Sequence, residues 1–208
     1  TFTIIIPAVT FGTITAIFCG YAFARLRFRR KKLIFNICVG TILLPGMVTL
    51  IPLYIFWTKG MGLGDTYWPL ILPFLTGGGF FNIFLIRQFL MTIPKELDEA
   101  ASIDGAGKWK QFFQITVPLI TPVIFYNFVT QLCHKFQEFN GPFIVTQGGP
   151  LRSTTLVSLL VYNEAFKRNE MGLASAIAWL LFLVIMTFTA VAFISQKYWV
   201  YYADEDGR

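Results

Sequence analysis

Four polar residues share one face of an apolar segment and are the residues best suited to contact a polar ligand. Spacings of four, three and four residues separate Asn127, Gln131, His134 and Glu138. At about 100° per residue in a helix, these spacings place the four side chains within roughly 60° of arc. They offer hydrogen-bond donors, acceptors and ionisable groups, and the aromatic ring of Tyr126 lies close by in the sequence.

We call these four residues the polar stripe, and the sequence leaves two interpretations of it open. Polar groups at membrane depth usually face the interior of a helix bundle or a water-filled cavity, so the stripe would line a path for a solute. Alternatively, the stripe forms hydrogen bonds between helices, which are worth about 0.6 kcal/mol on average. Asn82, in an earlier apolar segment, is a further candidate for the same path.

Sequence motifs for catalysis and metal binding are absent. The sequence has no GxxxxGK[ST] phosphate-binding loop, no GxSxG nucleophile motif and no HExxH zinc motif. Cys19, Cys38 and Cys133 stand singly in apolar stretches, and His134 has no partners at metal-site spacing. We therefore expect no catalytic residue, no metal site and no cofactor bound by this chain. A membrane-embedded enzyme, such as a lipid-modifying transferase, would need clustered catalytic His, Asp or Cys residues.

The composition is that of an integral membrane protein. Of the 208 residues, 55% are hydrophobic and only 13% are charged, which leaves too little polar surface to cover a soluble domain. The net charge of +6 could indicate nucleic-acid binding. Because the basic residues cluster beside apolar runs, we interpret them as membrane-orientation signals and expect no nucleic-acid partner.

The length of the apolar segments predicts an all-α membrane bundle of about five spans. A helix needs about 20 apolar residues to cross the hydrocarbon core. Segments that meet this requirement are Ile4–Ala24, Leu33–Trp57, Trp68–Met91, Pro118–His134 and Leu173–Ser195. A sixth apolar piece, Thr154–Phe166, is too short to cross. We find no linker or internal repeat and predict one domain over residues 1–208.

The distribution of basic residues predicts the orientation in the membrane. Six of the eight residues from Arg25 to Lys32 are Arg or Lys, which favours a cytoplasmic location for this stretch. Alternation of the predicted spans then puts the loop at about 92–118 inside, the segment Glu138–Gly172 outside and the tail Lys197–Arg208 inside. The C-terminus is therefore predicted to be cytoplasmic.

The inner loop at about 92–118 is the most informative segment. Its sequence is TIPKELDEAASIDGAGKWKQFFQITVP. Pro94 stands where a helix can begin, and acidic residues fill the first turns, where the helix dipole favours negative charge. Gly105 and Gly107 then break this helix, and a second begins at Lys108. An anionic membrane surface would repel so acidic a helix, so we interpret the loop as shaped for a protein groove.

The spacing within this loop resembles the EAA loop of ABC importer permeases. The resemblance consists of Glu99-Ala100-Ala101, Gly105, Ile115 and Pro118, with Val117 where the family pattern has Leu. The longer stretch IPKELDEAASIDGAGKWKQFFQITVPLITP looks like the version in carbohydrate-uptake permeases of the maltose and glycerol-3-phosphate type. YAFARLRF and DTYWPLILP, which start at Tyr21 and Asp65, are similar to that subfamily as well.

The resemblance implies that the loop is a coupling helix, which docks in a cleft of a cytoplasmic ABC ATPase dimer. By this likeness Glu99 is the anionic contact, Ala100 and Ala101 permit close seating, and Gly105 makes the turn, with Asp104 in the same elbow. ATP and Mg²⁺ would be bound by the ATPase and not by this chain. A carboxylate in a partly desolvated cleft can form a charge-assisted hydrogen bond worth about 1.5–3 kcal/mol.

The resemblance also implies the remaining partners and the location. A permease of this kind works with a second permease subunit, as a heterodimer here, and with an extracytoplasmic solute-binding protein. It lies in membrane lipid as a multi-pass protein of a bacterial or archaeal cytoplasmic (inner) membrane. The expected solute is a sugar or oligosaccharide. Alternatives are an importer of an amino acid, phosphate or polyamine, a simple channel, and the membrane-embedded enzyme mentioned above. Since such permeases carry six or more spans, we expect another span before Thr1.

Overall fold

A computed structural model describes residues 1–64, 66–76, 79–149 and 153–202, and these residues form helices and turns without a strand. The α-helices are α1 (Phe2–Arg25), α2 (Lys31–Ile42), α3 (Gly46–Ile55), α4 (Trp68–Ile71), α5 (Phe80–Thr92), α6 (Glu96–Ile103), α7 (Lys108–Gln111), α8 (Val117–Leu119), α9 (Thr121–Phe136), α10 (Val157–Tyr162) and α11 (Met171–Trp199). Four π-helical turns, Phe56–Gly60, Phe112–Thr116, Gly141–Thr146 and Asn163–Lys167, and a 3₁₀ turn, Leu72–Thr76, extend or join them. The predicted all-α class is confirmed.

Two of the five predicted spans are single helices of sufficient length. The helix α1 has 24 residues and α11 has 29, so each can cross about 30 Å of hydrocarbon. The second predicted span is a pair, Lys31–Ile42 and Gly46–Gly60, bent by 104°, and the fourth is a pair, Lys108–Leu119 and Thr121–Thr146, bent by 68°. The described chain therefore has two to four candidate spans rather than about five.

The third predicted span, Trp68–Met91, is wrong as a single helix. Its first part is the four-residue helix α4 followed by a 3₁₀ turn, and α5 begins only at Phe80. At 1.5 Å per residue the 13 residues of α5 cover about 20 Å, less than the hydrocarbon thickness. Gly77 and Gly78, between the two parts, lie outside the described residues, as does Asp65.

The helix α1 is the centre of the bundle and packs against α5, α9 and the α4 region. A buried cluster joins it to α5 and α9 and consists of Ala16, Ile83, Ile86, Leu90, Ile120 and Ile124. Gly20 lies at the closest approach, because a Cβ atom there would stand 2.6 Å from Cγ2 of Ile86. The loop at about 92–118 follows α5 directly and is therefore attached to this core.

The remaining helices have little contact with the core. No residue of α2 or α3 is buried, and in α11 only Ala174 and Ala192 are. The exposed side chains of α11 include Trp179, Leu180 and Phe182. Such apolar exposure suits helices whose surroundings are lipid or other membrane helices.

Candidate functional site

The loop at about 92–118 forms two short helices joined by a tight turn. The helix α6 carries Glu96, Asp98 and Glu99 in its first turn, where the dipole favours negative charge. At its other end Ala106 N–H donates to the carbonyl of Ala101 (2.9 Å) and Gly105 N–H donates to that of Ser102 (3.2 Å). This pair of hydrogen bonds is a Schellman motif, which needs a left-handed residue after the helix.

Gly105 supplies that left-handed residue. Its φ of +77° lies in the region that side chains rarely adopt, and no atom would contact a Cβ there within 4 Å. The predicted break at Gly105 is therefore confirmed, and its cause is backbone conformation rather than crowding. The second helix, α7, starts at Lys108 as predicted and continues through the π turn Phe112–Thr116.

The helix α6 has an outer and an inner face. The outer face carries exposed side chains at spacings of three and four, which are Glu96, Glu99, Ala100 and Ile103. Ile103 is 86% exposed and gives this face an apolar side chain. Asp104 follows at the exposed C-cap. Of the predicted contact residues, Ala101 is the exception, because it is only 8% exposed and packs toward its own chain.

Two polar contacts hold the inner face of α6 against the rest of the protein. The guanidinium of Arg25, at the end of α1, has Nε 3.2 Å from Oδ2 of Asp98, and its Nη2 donates to the carbonyl of Ile93 (3.1 Å). The Nε–H is not aimed at the carboxylate, so this contact is an ion pair without an aligned hydrogen bond. From α7, Gln111 Nε2 donates to Ser102 Oγ (2.9 Å) and to the carbonyl of Ala106 (2.8 Å).

The structure divides the polar stripe into a buried and an accessible part. Asn127 has no exposed surface, its Nδ2 donates to Val123 O (3.0 Å), and its Oδ1 has no partner among the described residues. Gln131 is buried and its Nε2 donates to Thr13 Oγ1 of α1 over 3.3 Å. The inner half of the stripe therefore makes an interhelical hydrogen bond, as the second interpretation predicts.

The other candidates for the path lie apart from these two. Tyr126 and His134 are exposed, whereas Asn82 is buried in α5. Glu138 lies beyond the end of α9, where its Oε2 contacts Lys135 Nζ (3.0 Å) and its Oε1 accepts the N–H of Gly141 (3.1 Å). The stripe is thus not brought together at a single place.

Glu138 does line a cavity of about 110 Å³ at the end of the bundle where α1 begins. Its other walls come from α1, α3, the α4 region and the π turn Gly141–Thr146, and the aromatic ones are Tyr54, Trp57 and Phe74. Lys135 also lines it, although the residue is only 8% exposed, and its Nζ lies 3.2 Å from the ring centroid of Phe74. An ion pair among aromatic rings can bind a polar ligand that also has apolar faces.

Most of the chain matches a family of known proteins. A family model described as "Binding-protein-dependent transport system inner membrane component" matches residues 9–200. The chain belongs to this family. Membership confirms the family resemblance found in the loop and makes the chain a helical component of an inner membrane.

Two relatives of the chain are named as permease proteins. The "Probable ABC transporter permease protein YesP" of Bacillus subtilis is 39% identical over 141 residues, which are 67% of this chain and 45% of that protein. The "Multiple sugar-binding transport system permease protein MsmF" of Streptococcus mutans is 44% identical over 103 residues, 50% of this chain and 36% of that protein. The matched part is therefore about half or less of each relative.

A solved structure supports the permease fold. The structure is that of a bacterial ABC transporter involved in the import of the acidic polysaccharide alginate, and the match has a TM-score of 0.66 at 20% identity. It covers 96% of this chain and 74% of the other. At this identity the likeness concerns the fold alone.

The sequence does not indicate the roles of three residues that position or build these sites. The sequence presents Arg25 and Lys135 only as charges that orient the chain, and nothing in it singles out Gln111. Their contacts with Asp98, Glu138 and Ser102 depend on how helices pack, so spacing gives no signal, except that Lys135 and Glu138 are three apart. In the part of the chain that the structure describes, no three His, Cys, Asp or Glu side chains group to hold a metal.

Proposed function

We propose that this chain is the transmembrane permease subunit of an ATP-driven, binding-protein-dependent importer of sugars or oligosaccharides. Family membership and one observation support this function. That observation is α6, an acidic helix that ends in a Schellman turn and presents Glu99, Ala100 and Ile103 on an exposed face. The chain is a transport component and not an enzyme, and ATP and Mg²⁺ belong to the ATPase.

The outer face of α6 suits a cleft in a partner protein. Glu99 has no ion-pair partner among the described residues, so its carboxylate is available for a basic group of an ATPase subunit. The small side chain of Ala100 permits close approach, and Ile103 and Leu97 offer apolar surface next to the charge. Gly105 and Asp104 form the elbow. Ala101 instead permits close approach of α6 to its own chain.

The contacts behind α6 support a transmission of motion. Because Arg25 joins α6 to the end of α1, and α1 is the centre of the bundle, a displacement of α6 reaches the membrane helices directly. We propose alternating access, in which ATP closes the ATPase dimer and the spans change the open side. Such a cycle requires that each state binds solute or nucleotide differently.

The orientation and partners follow from the same proposal. The loop at about 92–118 and the C-terminus lie in the cytoplasm of a bacterium or archaeon, and the segment 138–172 faces the solute-binding protein. A second permease subunit completes a heterodimer and covers exposed helices. Residues 203–208, part of the predicted cytoplasmic tail, and Arg152 lie outside the described residues.

A sugar is the solute class that the relatives favour, since MsmF is named for multiple sugar-binding transport. We place the solute path at the cavity lined by Glu138 and Lys135, where Trp57, Tyr54 and Phe74 offer rings that suit sugar faces. Importers of amino acids, phosphate or polyamines remain the alternative, and a solute panel in an ATPase-stimulation assay separates them.

The substitution Glu99→Lys tests the proposed function. We expect this variant to insert normally but to lose solute uptake and to co-purify with at least about tenfold less ATPase subunit, because a cation replaces the anionic contact. The matched control for insertion and ATPase association is Glu170→Lys, which makes the same charge change at an exposed residue of the segment 138–172, away from the loop at about 92–118. Normal ATPase association of Glu99→Lys would contradict the docking role, and solute transport without any ATPase would favour a channel.

A further inference from the structure

A basic cavity lies between the end of α1 and the loop at about 92–118. It has a volume of about 330 Å³ and is separate from the cavity at Glu138. Its cationic side chains are Arg25, Arg27, Lys31, Lys95 and Lys108, and its anionic ones are Asp98 and Glu99. Five cations against two anions give this cavity a net positive charge that attracts an anion.

Several of these cationic side chains are free to bind an anion. Arg25 is occupied by Asp98, and Lys31 donates to the carbonyls of Ala24 (3.2 Å) and Leu26 (2.9 Å), which leaves one of its three donors. Arg27, Lys95 and Lys108 are exposed and have no ion pair within the described ranges. Side chains from three elements therefore converge on one space, in which Asp98 is paired with Arg25 and Glu99 is the second anion against the remaining four cations.

An apolar groove of about 290 Å³ adjoins this basic cavity. Its walls are Phe18, Tyr21, Leu26, Lys108, Trp109 and Phe112. Tyr21, Leu26 and Lys108 line both spaces, so the basic cavity and the groove lie side by side. Trp109 is 71% exposed and stacks on the ring of Phe113, with 6.1 Å between the centroids. An exposed tryptophan beside lysines is typical of the boundary between hydrocarbon and headgroups.

A basic cavity beside an apolar groove, at the end of a membrane-spanning helix, suits a ligand that has both an anionic group and an apolar chain. We propose that this site binds an anionic phospholipid, with the phosphate in the basic cavity and an acyl chain in the groove along α1 and α7. A free phosphate would use the cations but not the groove, and a zwitterionic lipid would gain little from the positive charge. Since α1, α6 and α7 all line the site, the bound lipid would link the α6 elbow to the bundle.

Lipid titration of the full chain, purified in detergent with any subunits that accompany it, tests this site. Native mass spectrometry would compare phosphatidylglycerol with phosphatidylcholine, and soluble glycerol phosphate would serve as the headgroup alone. We expect phosphatidylglycerol to bind at least about tenfold more tightly than phosphatidylcholine, and glycerol phosphate to bind weakly. The measurement needs neither solute nor nucleotide, so its result is independent of the proposed transport function.

Two triple variants distinguish binding in the cavity from a general attraction of lipid to basic side chains. Arg27→Gln, Lys95→Gln and Lys108→Gln together should reduce phosphatidylglycerol affinity by about fivefold for each charge removed. Arg29→Gln, Lys32→Gln and Lys110→Gln remove the same charge nearby without altering the cavity lining, and this variant should keep its affinity. An equal loss of affinity in both variants, or no loss in the first, would contradict phosphate binding in the basic cavity.

The groove is tested by Trp109→Ala, a change at an exposed position that should not impair folding. We expect it to weaken phosphatidylglycerol binding while leaving the weak binding of glycerol phosphate unchanged, since only the lipid has an acyl chain. Unchanged phosphatidylglycerol affinity would overturn the groove as the acyl site. Equal affinities for phosphatidylglycerol and glycerol phosphate in the wild-type chain would identify the ligand as a free anion and contradict the proposal that the site binds a phospholipid.

Discussion

At the scale of single residues, the short distance between α1 and α5 depends on a glycine, Gly20. Gly20 is buried, and a Cβ atom placed there would lie 2.6 Å from Cγ2 and 3.0 Å from Cβ of Ile86. Ile86 has no exposed surface and cannot move aside. Glycine at this position therefore permits the close helix contact on which the bundle and the attached loop depend.

We expect Gly20→Ala to lower the free energy of unfolding by about 1–3 kcal/mol, because the added methyl group forces the two helices apart. Thermal unfolding in detergent measures this change as a lower Tm. Gly40→Ala in α2 is the matched control, since nothing lies within 4 Å of its Cβ position and alanine favours the helix. Equal Tm values for the two variants would show that the contact at Gly20 is not tight.

At the scale of elements, α6 is held by a short list of contacts, and its ion pair with Arg25 is the contact that connects it to α1. The side chains of Arg25 and Asp98 are 10% and 29% exposed, so solvent screens their attraction only in part. Glu99 is the next residue along α6 and stands about 100° around the helix from Asp98, where it is exposed and makes no contact with Arg25 in the ion pair. Loss of the pair should therefore change how α6 is positioned without removing the proposed docking contact.

A double-mutant cycle of Arg25→Gln and Asp98→Asn tests this division. We expect a coupling energy of about 1 kcal/mol in thermal unfolding, since partly buried pairs exceed the few tenths typical of exposed ones. ATPase subunits should still co-purify with Asp98→Asn, while solute-stimulated ATPase activity falls. For the unfolding measurement, Glu96→Gln removes a charge from the same helix without touching Arg25 and serves as the control. A coupling energy near zero would contradict the anchoring role.

Elements with local signals could be predicted from the sequence, but which of two prolines, Pro45 or Pro52, produces a bend in the second span could not. Continuous apolar length predicts α1 and α11, and acidic first-turn residues with a following glycine predict α6 and its end at Gly105. The bend between α2 and α3 occurs at Pro45, whereas Pro52 lies within α3. Whether a proline ends a membrane helix depends on whether neighbouring groups satisfy the backbone it frees, which is a tertiary property.

At the scale of the whole molecule, the two parts of the polar stripe have different surroundings. The periodicity predicts one face for Gln131 and Glu138, but α9 ends at Phe136, before Glu138 is reached. Thr13, the partner of Gln131, is 118 residues away, and the cavity at Glu138 needs walls from five separate segments. Such long-range contacts carry no signal in the spacing of a single helix. The stripe therefore combines an interhelical contact near α1 with a polar group at the cavity.

Neutralising the ion pair in that cavity tests the proposed solute path. The double variant Lys135→Met with Glu138→Gln removes both charges together, so no unpaired charge stays buried and stability should be nearly unchanged. We expect solute uptake to fall by about tenfold or more if the pair contacts a polar solute. Gln131→Leu is the comparison, and it should lower the free energy of unfolding by about 0.6 kcal/mol with uptake retained. Normal uptake by the double variant would exclude the cavity from the path, and lost uptake by a stable Gln131→Leu protein would place the path along the inner stripe instead.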